Sequence, residues 1–275
     1  MTNSFADILQ QVQSKHKLHV WSLIITVFGD AIVPRGGAVS AQTVQSLLRA
    51  FKIEPGAVRT AFSRLTNDGW VIREKQGRNS FYRLSDEGYE PFAKASTRIY
   101  AAPLKTRPQD NFVIAIAPSD FVETKIPSPA FVSKRVQIFQ HDDPKVEQFV
   151  RDDWFVIDAK SQTLPKWVHT ELLPVDLARG FKELTDQFEY AHADTPIEAI
   201  ALRTLLIHEW RRLLLRTSII PPVILPDDWP VRKCRRQVVK TYERCRELSE
   251  TWLSEHGTGP DGPLPRSSAI GNRFK

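Results

Sequence analysis

The feature that most constrains this chain is a change of hydrophobic period within its first hundred residues. Three segments with helical periodicity precede two short runs of strand-forming residues, and a fourth helical segment follows; these are residues 17–33, 40–51, 54–67, 70–75, 80–84 and 85–100. The tip between the two runs is polar and contains Gly77, which predicts a hairpin. Three helices followed by a hairpin is the order of a winged helix-turn-helix, which we predict for residues 1–100.

The third helical segment has two chemically different faces. Its apolar residues recur at steps of one, three and four, at Ala57, Val58, Ala61, Phe62 and Leu65. The opposite face carries Arg59, Thr60, Ser63, Arg64 and Asn67. Arginine can bind guanine with two hydrogen bonds, and threonine and serine can contact bases or phosphates. We therefore predict Arg59, Thr60, Ser63 and Arg64 as residues that contact DNA in the major groove.

The hairpin tip adds Lys75, Arg78 and Asn79, which we predict to contact the sugar-phosphate backbone. Residues 52–83 carry seven basic and three acidic side chains, so the basic charge coincides with the helix-turn-helix spacing. The alternative is that these are solvated faces of a small domain, and that Arg59 pairs locally with Glu54.

The remainder of the chain divides by composition and period. Residues 101–110 contain two prolines and predict a linker, and residues 111–174 contain short apolar runs that predict strands of a small sheet. The helical period returns over residues 175–256, and the Gly- and Pro-rich residues 257–275 predict a flexible tail. The fold class that follows is α+β with several domains.

Charge and composition exclude several classes of protein. The net charge is +6, made up of +5 in residues 1–100, −5 in residues 101–200 and +6 in residues 201–275. No signal-like segment opens the chain, and the longest apolar stretch, near residues 21–28, is too short for a bilayer. Cys234 and Cys245 lie in one predicted helix about 16 Å apart, too far for a disulfide. We expect a cytoplasmic protein with no membrane partner.

Enzyme motifs are incomplete. A Gly257-x-Gly259-x-x-Gly262 pattern lacks a preceding strand. The string His208-Glu209-Trp-Arg-Arg212 starts like a zinc-protease motif but has Arg212 where the motif needs a second histidine. We therefore predict no catalytic residue, no metal ligand and no cofactor. The alternative is an enzyme that processes nucleic acid or acts on a coenzyme A thioester, with a divalent ion at the acids Asp142, Asp143, Asp152 and Asp153.

Residues 22–37, 58–70 and 77–84, with the distant stretches Leu206-Ile-His-Glu-Trp-Arg-Arg212 and 219–230, resemble the PaaX family of phenylacetic-acid-degradation repressors. The resemblance implies a homodimeric bacterial transcriptional regulator with a winged helix-turn-helix, a central ferredoxin-like domain over residues 111–174 and a helical C-terminal domain over residues 175–256. It also implies repression of an aromatic-acid catabolic operon, and release of operator DNA when an aryl-acetyl-CoA thioester such as phenylacetyl-CoA binds.

Within the second matched stretch, His208, Arg211 and Arg212 are the candidates for binding this effector. Arginine binds phosphates with a forked pair of hydrogen bonds, and a protonated histidine can join it. The alternative is structural: Arg212 would pair with Glu209 or His208 on the same helix, while Trp210 and Leu213 pack in the core.

Overall fold

The structure is a computed structural model of the whole chain, and its fold mixes helices with small antiparallel sheets. It describes residues 3–102, 111–119, 131–133, 135–140, 152–160, 165–167, 173, 175–217, 225–226, 228–267 and 269–275. The predicted α+β class is confirmed at this level. Residues 103–110 of the predicted linker, about half of residues 111–174 and the acids Asp142 and Asp143 lie outside the described residues.

The chain begins with two helices, of which the sequence analysis anticipated one. Helix α1 (Phe5–Lys15) has a capping box, in which the Ser4 and Asp7 side chains each bond the backbone of the other residue. Helix α2 (Val20–Val27) continues through a π-helical turn, Phe28–Ile32, and a 3-10 turn, Val33–Arg35. The segment predicted as a single helix over residues 17–33 therefore changes its winding twice.

A three-stranded sheet with helices follows. Its elements are β1 (Ala38–Ser40), α3 (Ala41–Arg49), α4 (Pro55–Asn67), β2 (Val71–Gln76), β3 (Asn79–Leu84) and α5 (Asp86–Ile99). The strand order is β1-β3-β2 and both pairings are antiparallel. Ser40 and Ser85 cap α3 and α5, because each hydroxyl accepts a hydrogen bond from a backbone N–H of the first turn.

A second sheet contains β4 (Asn111–Ile116), β5 (Phe131–Ser133), β6 (Val136–Gln140) and β7 (Phe155–Lys160). All its pairings are antiparallel, in the order β5-β6-β4-β7. Its buried side chains include Val113, Ala115 and Phe139, against which Trp154 and Val156 pack. Strands β4, β6 and β7 fall on the short apolar runs from which the sequence predicts strands, namely residues 112–117, 136–139 and 154–157, whereas β5 lies outside them.

The C-terminal part contains α6 (Val175–Phe188), α7 (Pro196–Leu214) and the long helix α8 (Val231–His256). Both cysteines lie on α8, buried and unbonded to each other. The expectation of a flexible tail is wrong for the described part of residues 257–275, which forms two short strands, β8 (Thr258–Gly259) and β9 (Gly262–Pro263), and a 3-10 turn. This segment is ordered because Leu264, Ile270 and Phe274 are buried.

The contacts divide the chain into two compact units that do not follow its linear order. The first unit joins Met1–Pro103, Leu184–Arg212 and Arg235–Lys275, and the second joins Leu104–Glu183 and Leu213–Cys234. This division differs from the predicted boundaries, since most of the C-terminal helices belong to the same unit as residues 1–100. In the part of the chain that the structure describes, no helix has the length and apolar content needed to cross a bilayer.

Candidate functional site

Helix α4 presents the polar face that the sequence predicts. Val58, Ala61, Phe62 and Leu65 are buried, while Arg59, Thr60, Ser63, Arg64 and Asn67 are exposed. Ala57, assigned to the apolar side, is exposed as well. The Thr60 hydroxyl donates to the carbonyl of Gly56 at 3.1 Å, so its oxygen still has the capacity to accept a hydrogen bond.

The two arginines of this face differ in their surroundings. Arg59 forms no ion pair within the described residues, so the local pair with Glu54 is not observed. The Nε of Arg64 lies 3.4 Å from a carboxylate oxygen of Asp68, and its guanidinium carbon lies 5.8 Å from the ring centroid of Trp21. Both partners of the Arg64–Asp68 pair are more than half exposed, so the pair contributes little to stability and leaves Arg64 able to rearrange.

A stack of aromatic rings fixes the position of α4. The ring of Phe62 is stacked on Tyr82 of β3, with centroids 3.9 Å apart, and meets Phe28 edge-on at 6.5 Å. The buried face of α4 is therefore held against β3 and the π-helical turn, and the polar face is left exposed.

The hairpin β2–β3 carries its basic residues at the tip. Lys75, Arg78 and Asn79 are all exposed. Gly77 has φ +58°, a left-handed conformation that glycine adopts without strain and that a two-residue connection needs at its first position. Two other arginines of the hairpin have local partners, since Arg73 donates to Ser80 and Arg83 to Glu74.

The predicted effector residues lie on α7, at the side that packs against α2. His208 is buried, with its Nδ1 3.1 Å from the hydroxyl oxygen of Thr26, which itself donates to the carbonyl of Ser22. Nδ1 is therefore the protonated ring nitrogen that donates to Thr26. Burial, together with the positive charges of Arg211 and Arg212, lowers the pKa of His208 to about 3. The ring is neutral at neutral pH.

The two arginines of this stretch have different partners. Arg212 donates to Oε2 of Glu209 at 3.0 Å, the local pair considered as the structural alternative, and His16 lies 3.1 Å from the same oxygen. Arg211 donates through Nη2 to the carbonyl and hydroxyl oxygens of Ser22, the latter at 2.6 Å. Trp210 is fully buried and its indole N–H donates to the carbonyl of Ile99.

The buried carboxylate Asp30 was not identified from the sequence. It accepts hydrogen bonds from Arg203, Arg273, Tyr100 and Tyr242, which come from α7, the C-terminal segment, the end of α5 and α8. Burial alone would raise the pKa of Asp30, but the guanidinium groups of Arg203 and Arg273 lower it below its ordinary value. The signal available in the sequence was a lone carboxylate within an apolar helix.

A second, partly buried carboxylate extends this network. Glu250 of α8 accepts from Arg203 through Oε1 and from Arg35 through Oε2, both at 2.6 Å. We call Asp30, Glu250, Arg35, Arg203 and Arg273 the buried charge network; it ties the N-terminal helices to α7, α8 and the C-terminal segment.

Of the four acids in the enzyme alternative, Asp152 and Asp153 are described. Both are exposed in the turn before β7, and Asp153 has φ +60°. Within the described residues, no three His, Cys, Asp or Glu side chains are grouped as a metal site requires.

The fold and these surfaces define an α+β protein that has an exposed polar face on α4, a basic hairpin tip and a buried charge network. The chain belongs to the PaaX-like protein family: the family's model, PaaX-like protein, matches residues 19–88, and the model of the PaaX-like protein C-terminal domain matches residues 175–255. The resemblance found in the sequence is thereby confirmed.

Two known proteins are similar over most of the chain. One is the transcriptional repressor PaaX of Escherichia coli strain K12, which is 25% identical over 276 residues that cover 90% of this chain and 87% of the repressor. The other is a solved structure, uncharacterized protein Rv0674 from Mycobacterium tuberculosis, with a TM-score of 0.54 and 17% identity over 84% of this chain and 99% of that one. The second similarity establishes the fold alone.

Proposed function

We propose that the protein is a bacterial transcriptional regulator, not an enzyme, that binds duplex DNA through α4 and the β2–β3 hairpin. The observation that carries the proposal is the exposed polar face of α4 beside a hairpin whose tip holds exposed basic residues. The element order of residues 20–84, with a three-stranded antiparallel sheet, supports a winged helix-turn-helix. The similarity to a transcriptional repressor supports the same class and does not favour the enzyme alternative.

In the proposed complex, α4 lies in the major groove and the hairpin tip lies along the backbone. Arg59 and Arg64 contact base edges, and Thr60 and Ser63 contact bases or phosphates. Lys75, Arg78 and Asn79 contact phosphates, which fixes register without reading sequence. The stacking of Phe62 on Tyr82 keeps the reading helix and the hairpin in one fixed geometry during binding.

We further propose that the protein represses an operon for a phenylacetate-type aromatic acid and releases its operator when an aryl-acetyl-CoA thioester such as phenylacetyl-CoA binds. His208, Arg211 and Arg212 are the proposed effector contacts, and the active form is a homodimer whose two reading helices match two half-sites. His208 is neutral, so the arginines supply the positive charge. The second sheet supports a ferredoxin-like central domain, because its first and third strands occupy the centre of an antiparallel order.

The first test is fluorescence anisotropy of a labelled duplex from the gene's own upstream region, with excess unrelated DNA present. We expect binding that resists the competitor and that phenylacetyl-CoA reverses. Binding that persists with the thioester would contradict the proposed effector, and the absence of specific binding would contradict the DNA-binding proposal itself.

Variants separate backbone contacts from base contacts. Arg78→Ala should weaken binding to every duplex and reduce the slope of log affinity against log salt by about 0.9, the value of one phosphate contact. Arg59→Ala should also relax base preference, at a cost of about 1–3 kcal/mol on the preferred site. Arg216→Ala is the matched control, because Arg216 is exposed and paired with Asp176. Parental binding by both test variants would contradict the assignment of α4 and the hairpin.

A further inference from the structure

A cleft of about 390 Å³ opens in the first unit between the end of α1 and the turn that joins α3 to α4. Residues 13–18 line one side of it and residues 51–53 line the other. Its volume lies within the range of sites that bind small molecules. We call this space the basic cleft, because its lining includes Lys15, His16, Lys17 and Lys52.

The charge of the basic cleft is not balanced by its own lining. None of the described residues that line it is acidic. Lys17 and Lys52 are exposed, and neither forms an ion pair in the part of the chain that the structure describes. His16 lies 3.1 Å from Oε2 of Glu209, but Glu209 is buried and the same oxygen also accepts from Arg212. This carboxylate is therefore shared by two other groups and does not neutralise the lysines.

Two helix ends offset this charge only in part. Helix α1 ends at Lys15 and α3 ends at Arg49, and the C-terminal end of a helix carries a partial charge of roughly −0.5. Two such ends together offset about one positive charge, whereas Lys17 and Lys52 alone contribute two. An excess of positive charge therefore remains, which an anion can balance.

The backbone of Lys52 occupies a position at which glycine is usual. Its φ is +60°, in the left-handed region, and the N–H of the next residue, Ile53, donates to the carbonyl of Leu48 and closes the end of α3. Glycine adopts this conformation without the cost that a side chain brings. Strain of this kind is typical of functional positions, and it is accounted for here if the ammonium group of Lys52 binds a ligand.

The basic cleft adjoins the N-terminal end of the proposed reading helix. Ile53, which lines the cleft, directly precedes Glu54, the N-cap residue of α4. Glu54 itself does not line the cleft. In helix-turn-helix complexes the N-terminal residues of the reading helix contact base edges, and the sugar-phosphate backbones border the groove on both sides. A cation beside this end of α4 therefore lies near a DNA strand when α4 occupies the major groove.

We propose that the basic cleft binds a phosphate group of the DNA backbone beside the groove that α4 occupies. Lys17 and Lys52 are the phosphate contacts, and Lys15 adds to the positive potential around them. The cleft precedes α4 in the chain and the hairpin follows it, so the backbone is contacted at two separate places. This inference rests on the proposed binding of DNA and adds contacts that fix register without reading bases.

Duplex binding by the full chain, measured against salt, tests the cleft. One duplex comes from the gene's own upstream region and a second duplex is unrelated to it. Lys17→Gln and Lys52→Gln should each reduce the slope of log affinity against log salt by about 0.9 and weaken binding of both duplexes about fivefold at about 0.15 M salt. Lys94→Gln is the matched control, because Lys94 is exposed on α5 and paired with Glu90, and it should leave slope and affinity unchanged.

Two further substitutions at Lys52 separate the loss of charge from a defect of folding. Lys52→Gly removes the charge and relieves the left-handed strain, so it should raise the Tm and still weaken duplex binding as much as Lys52→Gln does. Lys52→Arg keeps the charge and should bind both duplexes within about twofold of the parent. Parental binding by Lys52→Gly would overturn the proposal.

Neutral methylphosphonate linkages, placed one at a time in the upstream duplex, locate the bound phosphate. At one position the neutral linkage should weaken binding by the parent about fivefold and binding by the double variant Lys17→Gln, Lys52→Gln by less than about twofold, because the two changes remove the same contact. This position should differ from the one that couples to Arg78→Ala. If no position couples to the two lysines, they act only through the long-range potential and the phosphate site is wrong.

The same titrations separate this inference from the proposed function. If the parent binds no duplex, both are contradicted. If Arg59→Ala and Arg78→Ala weaken binding while the lysine variants match Lys94→Gln, the basic cleft alone is contradicted. If only the lysine variants weaken binding, the cleft is supported and the assignment of α4 and the hairpin is contradicted.

Discussion

At the scale of single residues, Asp30 is the position on which the first unit most depends. Its side chain is fully buried and faces two guanidinium groups and two phenol hydroxyls. Replacing buried ion pairs by apolar groups is often tolerated, but removing one partner strands the other charge in the interior. Loss of the Asp30 carboxylate would therefore leave the positive charges of Arg203 and Arg273 incompletely balanced.

We expect Asp30→Asn to lower the free energy of unfolding by about 3–5 kcal/mol, because the amide keeps the shape of the side chain and removes its charge. Urea denaturation followed by tryptophan fluorescence measures the change. Asp68→Asn is the matched control: its pair with Arg64 is exposed, so the same chemical change should cost no more than about 0.5 kcal/mol. Equal effects of the two substitutions would contradict the role assigned to the network.

A second residue-scale prediction concerns pH. The pKa of His208 is about 3 in the folded chain and about 6.5 when unfolded, so below pH 6.5 the unfolded state takes up a proton that the folded state does not. The contribution of His208 to the free energy of unfolding is fully present above pH 6.5. It decreases as the pH falls, by about 2 kcal/mol at pH 5.

The measurement for His208 is the free energy of unfolding at pH 7 and at pH 5. His208→Gln should reduce the difference between the two values by about 2 kcal/mol, since glutamine does not titrate. His256→Gln, at an exposed histidine, should leave the difference unchanged. A parental pH dependence in His208→Gln would show that His208 is not the titrating group.

At the scale of elements, the C-terminal segment acts as part of the core. Phe274 contacts the rings of Tyr100 and Tyr242, each at a centroid distance of 5.4 Å, and its N–H donates to the carbonyl of Tyr100. Arg273 reaches Asp30 from the same turn and lies over the Tyr100 ring. The segment therefore joins α5, α8 and the π-helical turn.

We expect a chain that ends at His256 to lose at least about 3 kcal/mol of stability in the transition of the first unit, because Leu264, Ile270 and Phe274 each contribute about 1.5–3 kcal/mol when buried. Denaturant titration of the shortened chain measures this loss. A chain lacking the exposed Lys275 alone is the control and should match the parent. A shortened chain of parental stability would mean that the segment adds nothing to the core.

The elements that could be predicted from the sequence were those with local signals. Two of the predicted helical segments begin at Ser40 and Ser85, which are the N-cap residues of α3 and α5. The two faces of α4 follow from its apolar spacing, with Ala57 as the exception. Helix α1, which was not among the predicted segments, also has a local signal, because Ser4 and Asp7 form a capping box.

The elements that could not be predicted depend on partners far along the chain. The C-terminal segment has the composition of a tail, and its order comes from a few apolar residues and Arg273, whose partner Asp30 is 243 residues away. The surroundings of Arg211 and His208 have the same origin, because Ser22 and Thr26 are separated from them by more than 180 residues. No hydrophobic period reports contacts of this kind.

At the scale of the whole molecule, the first unit is assembled from three separate stretches of the chain, so residues 1–100, which contain the proposed DNA-binding region, do not form a compact unit by themselves. The N-terminal stretch contains Asp30 and Arg35 but none of their charged partners in the network, which are Arg203, Glu250 and Arg273.

We therefore expect a fragment of residues 1–102 to unfold without a cooperative transition in urea, and to recover one when a fragment of residues 175–275 is added. The same second fragment carrying Arg203→Leu should bind about a hundredfold more weakly, because it leaves Asp30 and Glu250 without their shared cation. Circular dichroism of the mixtures measures both effects. A fragment of residues 1–102 that unfolds cooperatively by itself, with the stability of the full chain, would show instead that the C-terminal helices are not required to hold α4 and the hairpin in place.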